Sequence, residues 1–281
     1  MHRMILAAAA LIAAATAFAA ETPARHVYYF SPVNQQNLNV AASFWNPIIE
    51  YVSTRSGVPM KLKLGRTSAD TTSFVLAQEV DFAFTNHLFS PERAKLGWRV
   101  FGRRDAPPIH GQIVVAADSP VTKLSELTDQ EVAFPGPEAF IAYKTTYAQL
   151  VSAGVPVKVV FGGNMDAAFA QLFSGRVKAV GANSQLVDGY AAREKKSFRV
   201  LWKSAPFHDL ALMASSRVSD KQVQAVAKAF LSMHHDPDGQ EVLRHARQVI
   251  GAPAPISFVA ATEADYQSYR DFHRTAPVQV Q

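Results

Sequence analysis

Apolar positions along this chain fall into two alternating patterns. Short apolar runs read as strands: HVYYFS (His26–Ser31), VDFAFTN (Val80–Asn86), Gln112–Ala117, Glu131–Phe134 and DLALMAS (Asp209–Ser215). MKLKLG (Met60–Gly65) alternates apolar and polar residues, as a half-buried strand does. Between these runs apolar residues recur at helical spacing. In NVAASFWNPIIEYVSTRSG, Val40, Phe44, Ile48, Tyr51 and Val52 share one face and Gly57 closes the helix. TSADTTSFVLAQEV opens with Ser, Thr and Asp as cap candidates, Ser119–Leu127 reads as a short capped helix, and Pro137 opens another. Asp220–Met233 and Asp238–Val249 are helical patterns, and a tail follows them. Strand and helix in alternation specify an α/β fold of mainly parallel sheets flanked by helices.

One plan occurs twice. LKLGRTSADTTSFVLAQEVDFAFTN and VKVVFGGNMDAAFAQLFSGRVKAVGANS both run strand, small-residue loop, helix, tight turn, strand and Asn. Two copies indicate equivalent units in two lobes rather than a solenoid. Ligands of open parallel sheets sit beyond the carboxyl ends of the strands, so each lobe should present one binding edge. The chain is expected to cross between lobes near Ile113–Ala116 and Leu210–Ala214. That gives one lobe of residues 26–112 plus 212–281 and a second of residues 113–211. The turn at Gly162-Gly163 raises its own question. Glycine-rich strand-to-helix turns ordinarily hold anions, yet no Lys, Arg, Ser or Thr follows until well down the helix, and Met165 sits near the mouth.

The first residues indicate a compartment. His2 and Arg3, the apolar run Met4–Ala15 and the small-x-small site Ala17-Phe18-Ala19 form a secretory signal pattern over residues 1–19. It is too short and too alanine-rich for a membrane span. The expected product is exported. Cysteine is absent from the 281 residues, which excludes disulfides, thiolate metal sites and cysteine nucleophiles together. The net charge of +5 is spread along the chain, and its densest cluster, Arg193-Glu194-Lys195-Lys196, is broken by an acid. That is a solvated face, and no nucleic-acid partner is expected. No G-x-S-x-G, H-E-x-x-H, S-x-x-K or phosphate-loop pattern occurs, so catalysis has little to stand on.

An ordered set of segments resembles the periplasmic binding proteins for phosphonate and phosphite. These are solute receptors of ABC importers with a two-lobed type II periplasmic binding fold. The set is EVDFAFTNHLF, IVVAADSPVTKLSEL, VAFPGPEAFIAY, VVFGGNMDAAFAQLFSGRVKAVGANSQ and LWKSAPF, in that order. The resemblance implies a Ser-Thr-Ser type run at the start of a second-lobe helix, wrapping the anion with hydroxyls and amides. Here that place reads Ala139-Phe140-Ile141. The family's histidine after the glycine pair falls on Met165, its aspartate after Asn-Ser on Gln185, and its first-lobe tyrosine on Phe89. Hydroxyls, imidazole and carboxylate are thus exchanged for apolar or neutral groups.

The candidate ligand-binding residues follow from the two strand edges. The first lobe offers Tyr29, Ser31, Asn34, Thr67, Asn86, His87 and Phe89; the second offers Glu138, Phe140, Tyr143, Asn164, Met165, Asn183 and Gln185. Aromatic faces with a few amides suit an organic solute larger than phosphite. Helix N-termini near Pro137 and Asn164 would receive a carboxylate or similar small anionic head. Each residue also has a plainer role: Phe89 and Phe140 as core aromatics, Met165 as a gap-filler, Asn164 and Asn183 as turn or cap residues.

The resulting expectation is a monomeric solute-binding protein that hands its solute to a membrane importer permease or a membrane sensor domain, with no cofactor. The alternative is a copper-binding or sensor-partner module on the same fold. MHHDPDG (Met233–Gly239) gathers two His and two Asp, though adjacent histidines lack ligand spacing, and His87, Met165 and His208 would suit copper if brought together.

Overall fold

The computed structural model describes residues 26–280; the leader expected over residues 1–19 lies outside the described residues. The chain begins with β1 (Tyr28–Pro32), α1 (Leu38–Ser56), β2 (Met60–Leu62), α2 (Ser68–Leu76), β3 (Phe82–Thr85), α3 (Pro91–Ala94) and β4 (Arg99–Arg104). Next come β5 (Gly111–Ala116), β6 (Glu131–Phe134), α4 (Thr145–Ser152), β7 (Lys158–Phe161), α5 (Met165–Phe173), β8 (Ala179–Asn183), α6 (Ser184–Glu194) and β9 (Phe198–Lys203). It ends with β10 (Ala211–Ala214), α7 (Asp220–Ser232), α8 (Pro237–Ile250), β11 (Phe258–Val259) and α9 (Gln267–Thr275).

Two sheets result. One has the order β11-β4-β10-β3-β1-β2 and the other β7-β6-β8-β5-β9. β1 runs parallel to β2 and β3, and β6 runs parallel to β7 and β8, each joined through helices. β5 and β10 run antiparallel to their neighbours; they are the strands that receive the chain from the other sheet. Each lies wholly within one sheet. The passages fall in the connections before them, residues 105–110 and 204–210, where Ile109 and Phe207 exchange two 2.8 Å backbone hydrogen bonds.

Local sequence explains the elements. The Asn37 side chain caps α1 by accepting from the Val40 N–H at 3.1 Å, and Gly57 ends the helix at φ 69. Phe44, Trp45, Ile48 and Val52 of α1 then bury their face against Phe30, Phe82 and Phe84 of the sheet and Phe230 of α7. Two elements differ from the pattern-based reading. Residues 119–127 hold only a 3-10 turn, Leu124–Leu127. The helix expected from Pro137 begins at Phe140 with a wide π-turn, Phe140–Lys144, before α4. The Thr145 and Thr146 hydroxyls donate to the carbonyls of Ile141 and Ala142 at 2.6 and 2.7 Å, competing with the ordinary helical ladder there.

The tail also has structure. Tyr266 and Tyr269 are fully buried in a cluster with Phe89 and Trp98 of the first lobe and Phe140 and Ile141 of the second. Ala276 and Val280 continue onto Ala148 of α4. A segment of the chain's far end thus packs on both lobes.

Candidate functional site

The carboxyl ends of β1 and β3 face those of β6 and β8 across a cavity of about 40 Å³. Asn34, Asn86 and His87 line it from the first lobe, and Phe140, Met165 and Asn183 from the second. At roughly 10–15 Å³ per water this is room for about three waters, less than the aromatic inventory of the sequence suggests.

The second-lobe wall is a helix start. Phe140, Ile141 and Ala142 line the cavity, and their N–H groups precede the first intrahelical acceptor. Gly111 and Gly181 let this turn rest directly on the sheet. A Cβ at Gly111 would crowd the Ile141 carbonyl at 2.9 Å, and one at Gly181 would collide with the Phe134 ring and the Ala142 carbonyl. Sequence thereby brings unpaired backbone donors to the cavity floor.

The polar side chains are individually fixed. Asn34 donates to the Gly65 carbonyl, and Asn183 Oδ1 accepts from the Gln185 N–H at 2.9 Å, capping α6. Asn86 adjoins the buried Tyr269 hydroxyl. His87 Nδ1 lies 2.7 Å from Thr72 Oγ1. Burial drives the His87 pKa down to about 4; Glu138 opposes this, and Arg93 and Lys144 reinforce it. The imidazole is therefore neutral near pH 7. Among the described residues no Lys or Arg lines the cavity.

Direct contacts close the cleft. Arg93 Nη1 donates to Glu138 Oε2 at 2.5 Å, linking the lobes, and also to the His87 carbonyl at 3.1 Å. Burial pushes the Glu138 carboxyl up, but the hydrogen bond and charge of Arg93 outweigh it and hold the pKa below the usual range. The glycine turn at Gly162-Gly163 also meets protein. The Met165 N–H donates to the Gln35 carbonyl at 3.2 Å, and Asp166 accepts from the Asn37 N–H at 3.1 Å and from its side chain at 3.0 Å. Arg193 holds the other Asp166 oxygen at 2.6 Å. The turn grips the opposite lobe.

The remaining candidates from the sequence stand outside the cavity. Tyr29 is 40% exposed on β1, and the Ser31 hydroxyl is buried there with no hydrogen-bond partner among the described residues. Thr67 caps α2 through the Asp70 N–H at 3.2 Å, and Asn164 caps α5 through the Ala167 N–H at 2.9 Å. Phe89 stacks on Tyr266 at 4.5 Å, and Tyr143 on Tyr147 at 5.3 Å. Glu138 is engaged with Arg93. Gln185 accepts from Arg104 at 3.2 Å, beside the passage between sheets. The physical reasons are shared: rings found partner rings, and short polar side chains found the unpaired N–H groups of helix starts.

Of the metal-site trio, His87 and Met165 share the cavity. His208 instead offers its carbonyl to the Tyr269 hydroxyl at 2.6 Å. Asp236 caps α8 and, with Asp238, holds Arg55. Among the described residues no group of three or more His, Asp or Glu could hold a metal ion, and no helix is long and apolar enough to cross a membrane.

Sequence reasoning did not single out Gln35, Leu186 or Leu210, which also line the cavity, nor the tail behind it. The spacing of Tyr266, Tyr269 and Phe272 by three residues was the available signal for the latter.

Comparison with known proteins bears on the fold and the family. A family model described as "ABC transporter, phosphonate, periplasmic substrate-binding protein" matches residues 30–266. No curated protein matches the chain. Among solved structures, PhnD1 from Prochlorococcus marinus, in complex with methylphosphonate, is similar with a TM-score of 0.75 at 16% identity, covering 88% of this chain and 97% of that one. A binding protein component of an ABC phosphonate transporter from Pseudomonas aeruginosa gives 0.75 at 15% identity, covering 89% and 87%. XAC2383 from Xanthomonas citri, bound to chloride ion, gives 0.68 at 14% identity, covering 88% and 96%. At such identities the likeness is one of fold.

Proposed function

The chain belongs to the periplasmic substrate-binding proteins of phosphonate ABC transporters, and from that premise we propose that it captures one compact oxyacid bearing a short apolar group between its lobes. Membership implies a small-molecule ligand, a membrane permease as partner and the periplasm as compartment. The finer reading concerns the solute. A head group meets the first-turn N–H groups of Phe140–Ala142, while Asn34, Asn86 and Asn183 orient it and Met165 and Leu210 receive the apolar part. The observation that carries this is a cavity of about 40 Å³ with backbone and amide donors and, among the described residues, no lining Lys or Arg. A dianion such as inorganic phosphate would leave much of its charge unmatched there. A monoanionic methylphosphonate or a short carboxylate suits the space better. Solute contacts with both lobes favour the closed form, which a monomer presents to the permease.

Calorimetry and thermal shift with methylphosphonate, phosphite, phosphate and short carboxylates test the reading. Methyl-bearing oxyacids are expected to raise the unfolding midpoint through preferential binding to the folded state. Tight binding of phosphate, or no response to any member of the set, would overturn it.

A further inference from the structure

Leu186 lines the cleft cavity and also a second, larger groove of about 200 Å³. Three segments supply most of its wall, residues 105–108 of the passage between sheets, α6 of the second lobe, and residues 252–256 after α8, with Gln36, Arg104, Asp166 and Ile250 completing it. Its apolar surface comes from Pro107, Pro108, Pro253 and Pro255 with Tyr190 and Ile256. Rigid prolines and a ring form a surface with little conformational entropy to lose on contact.

The charges of the groove do not cancel. Arg104 is held by Asp209 at 2.5 Å and by Gln185 at 3.2 Å. Arg193 is held by Asp166 at 2.6 Å. Both cations that line the groove are therefore spent on partners. Asp105 and Asp188 remain. Asp105 has only the Ser257 hydroxyl, at 3.5 Å, and Asp188, at the rim, has no hydrogen bond or ion pair among the described residues. Desolvation by the groove walls raises the Asp188 carboxyl above the ordinary aspartate value, with Lys203 opposing.

We propose that this groove is a second ligand site, which takes a small organic cation: an ammonium group set against Asp188 and Asp105, on a compact apolar body lying against the prolines and Tyr190. Charge complementarity selects the head and the proline surface selects the body. Because the walls belong to both lobes, occupancy favours the closed arrangement, and the groove and the cleft are reciprocally coupled. The proposal stands on the groove alone, whatever solute the cleft takes.

Calorimetry on the mature protein with benzylammonium, and with benzyl alcohol as its neutral counterpart, tests it. The amine is expected to bind about tenfold or more tightly than the alcohol, in keeping with one hydrogen-bonded charge contact. Asp188→Asn is expected to remove that preference without lowering the unfolding midpoint, since the side chain is at the rim and unpaired. Asp105→Asn should weaken the amine to a smaller degree. Equal binding of amine and alcohol, an unaffected Asp188→Asn variant, or no heat at millimolar probe would overturn the assignment. So would loss of amine binding in Met165→Phe, a substitution at a residue that lines the cleft cavity and not the groove.

Discussion

The Tyr269 ring lies 4.5 Å from the Phe140 ring of the second lobe and 5.3 Å from the Phe89 ring of the first, while its hydroxyl donates to the His208 carbonyl at 2.6 Å. One residue of the last helix therefore fastens both lobes behind the cavity. Tyr269→Ala should cost about 3–5 kcal/mol in urea unfolding, the range for deleting a buried aromatic ring. Tyr269→Phe keeps the ring and should cost about 1–2 kcal/mol for the lost hydrogen bond to the His208 carbonyl. An alanine variant that unfolds at the parent midpoint would show that the tail is not a fastening.

The Arg93–Glu138 pair joins the lobes on the same side, with both side chains 24% exposed. Neither lobe needs it for its own core, so Glu138→Gln should leave the fold intact and shift the balance toward an open form. Replacing a charge-assisted hydrogen bond with one to a neutral amide oxygen, a loss of about 1 kcal/mol, changes that balance roughly fivefold. Small-angle scattering should report a larger radius of gyration for the variant without added solute. An identical scattering profile would assign closure to the other contacts, Met165 to Gln35 and Asp166 to Asn37.

Acid should loosen the molecule in a defined window. His87, buried with a folded pKa of about 4, is uncharged where an exposed histidine near 6.5 takes a proton. Above pH 6.5 neither state binds the proton and His87 has no effect. From 6.5 down to about 4 the unfolded chain binds it and the folded chain does not, so stability falls as pH falls. Below about 4 both bind and the loss levels off. The full displacement corresponds to about 3 kcal/mol. His273, also lowered to about 4 by burial, with Lys144 and Arg93 adding, acts in the same direction. His87→Gln should flatten the stability profile between pH 6.5 and 4; an unchanged slope would mean that His87 titrates normally.

The repeated unit was legible because its signals are local. Apolar runs, glycine turns and cap residues lie within one strand-helix-strand stretch, and Asn86 and Asn183 duly arrive at matching strand ends beside the cavity. Phe89 and Tyr143 were not legible in the same way. Their positions at a strand end and a helix start fit a pocket wall as well as a core, and the deciding partner of Phe89 is Tyr266 in the distant tail. Asn164 and Thr67 show the other difficulty. Short polar residues before a helix satisfy unpaired N–H groups first, and sequence alone does not tell a cap from a ligand contact. The cavity's size was likewise hidden, since its lining joins residues far apart in the sequence, such as Met165 at the start of α5 and Leu210 in the passage between the sheets.

Gly181 offers a test of what the helix start does. It sits in β8 with the Phe134 ring and the Ala142 carbonyl directly above it, so any side chain there must lift the Phe140–Lys144 turn off the sheet. Gly181→Ala should cost about 1–3 kcal/mol, the usual penalty for forcing a methyl into a packed core. The same displacement moves the N–H groups of Phe140, Ile141 and Ala142 relative to Asn34 and Asn86, which belong to the other lobe and do not follow. Affinity for a methyl-bearing oxyacid should therefore fall by more than the change in stability explains at temperatures where the variant is fully folded. If binding persists at parental strength in a destabilised but folded Gly181→Ala protein, the head group is held elsewhere, by the asparagine amides alone.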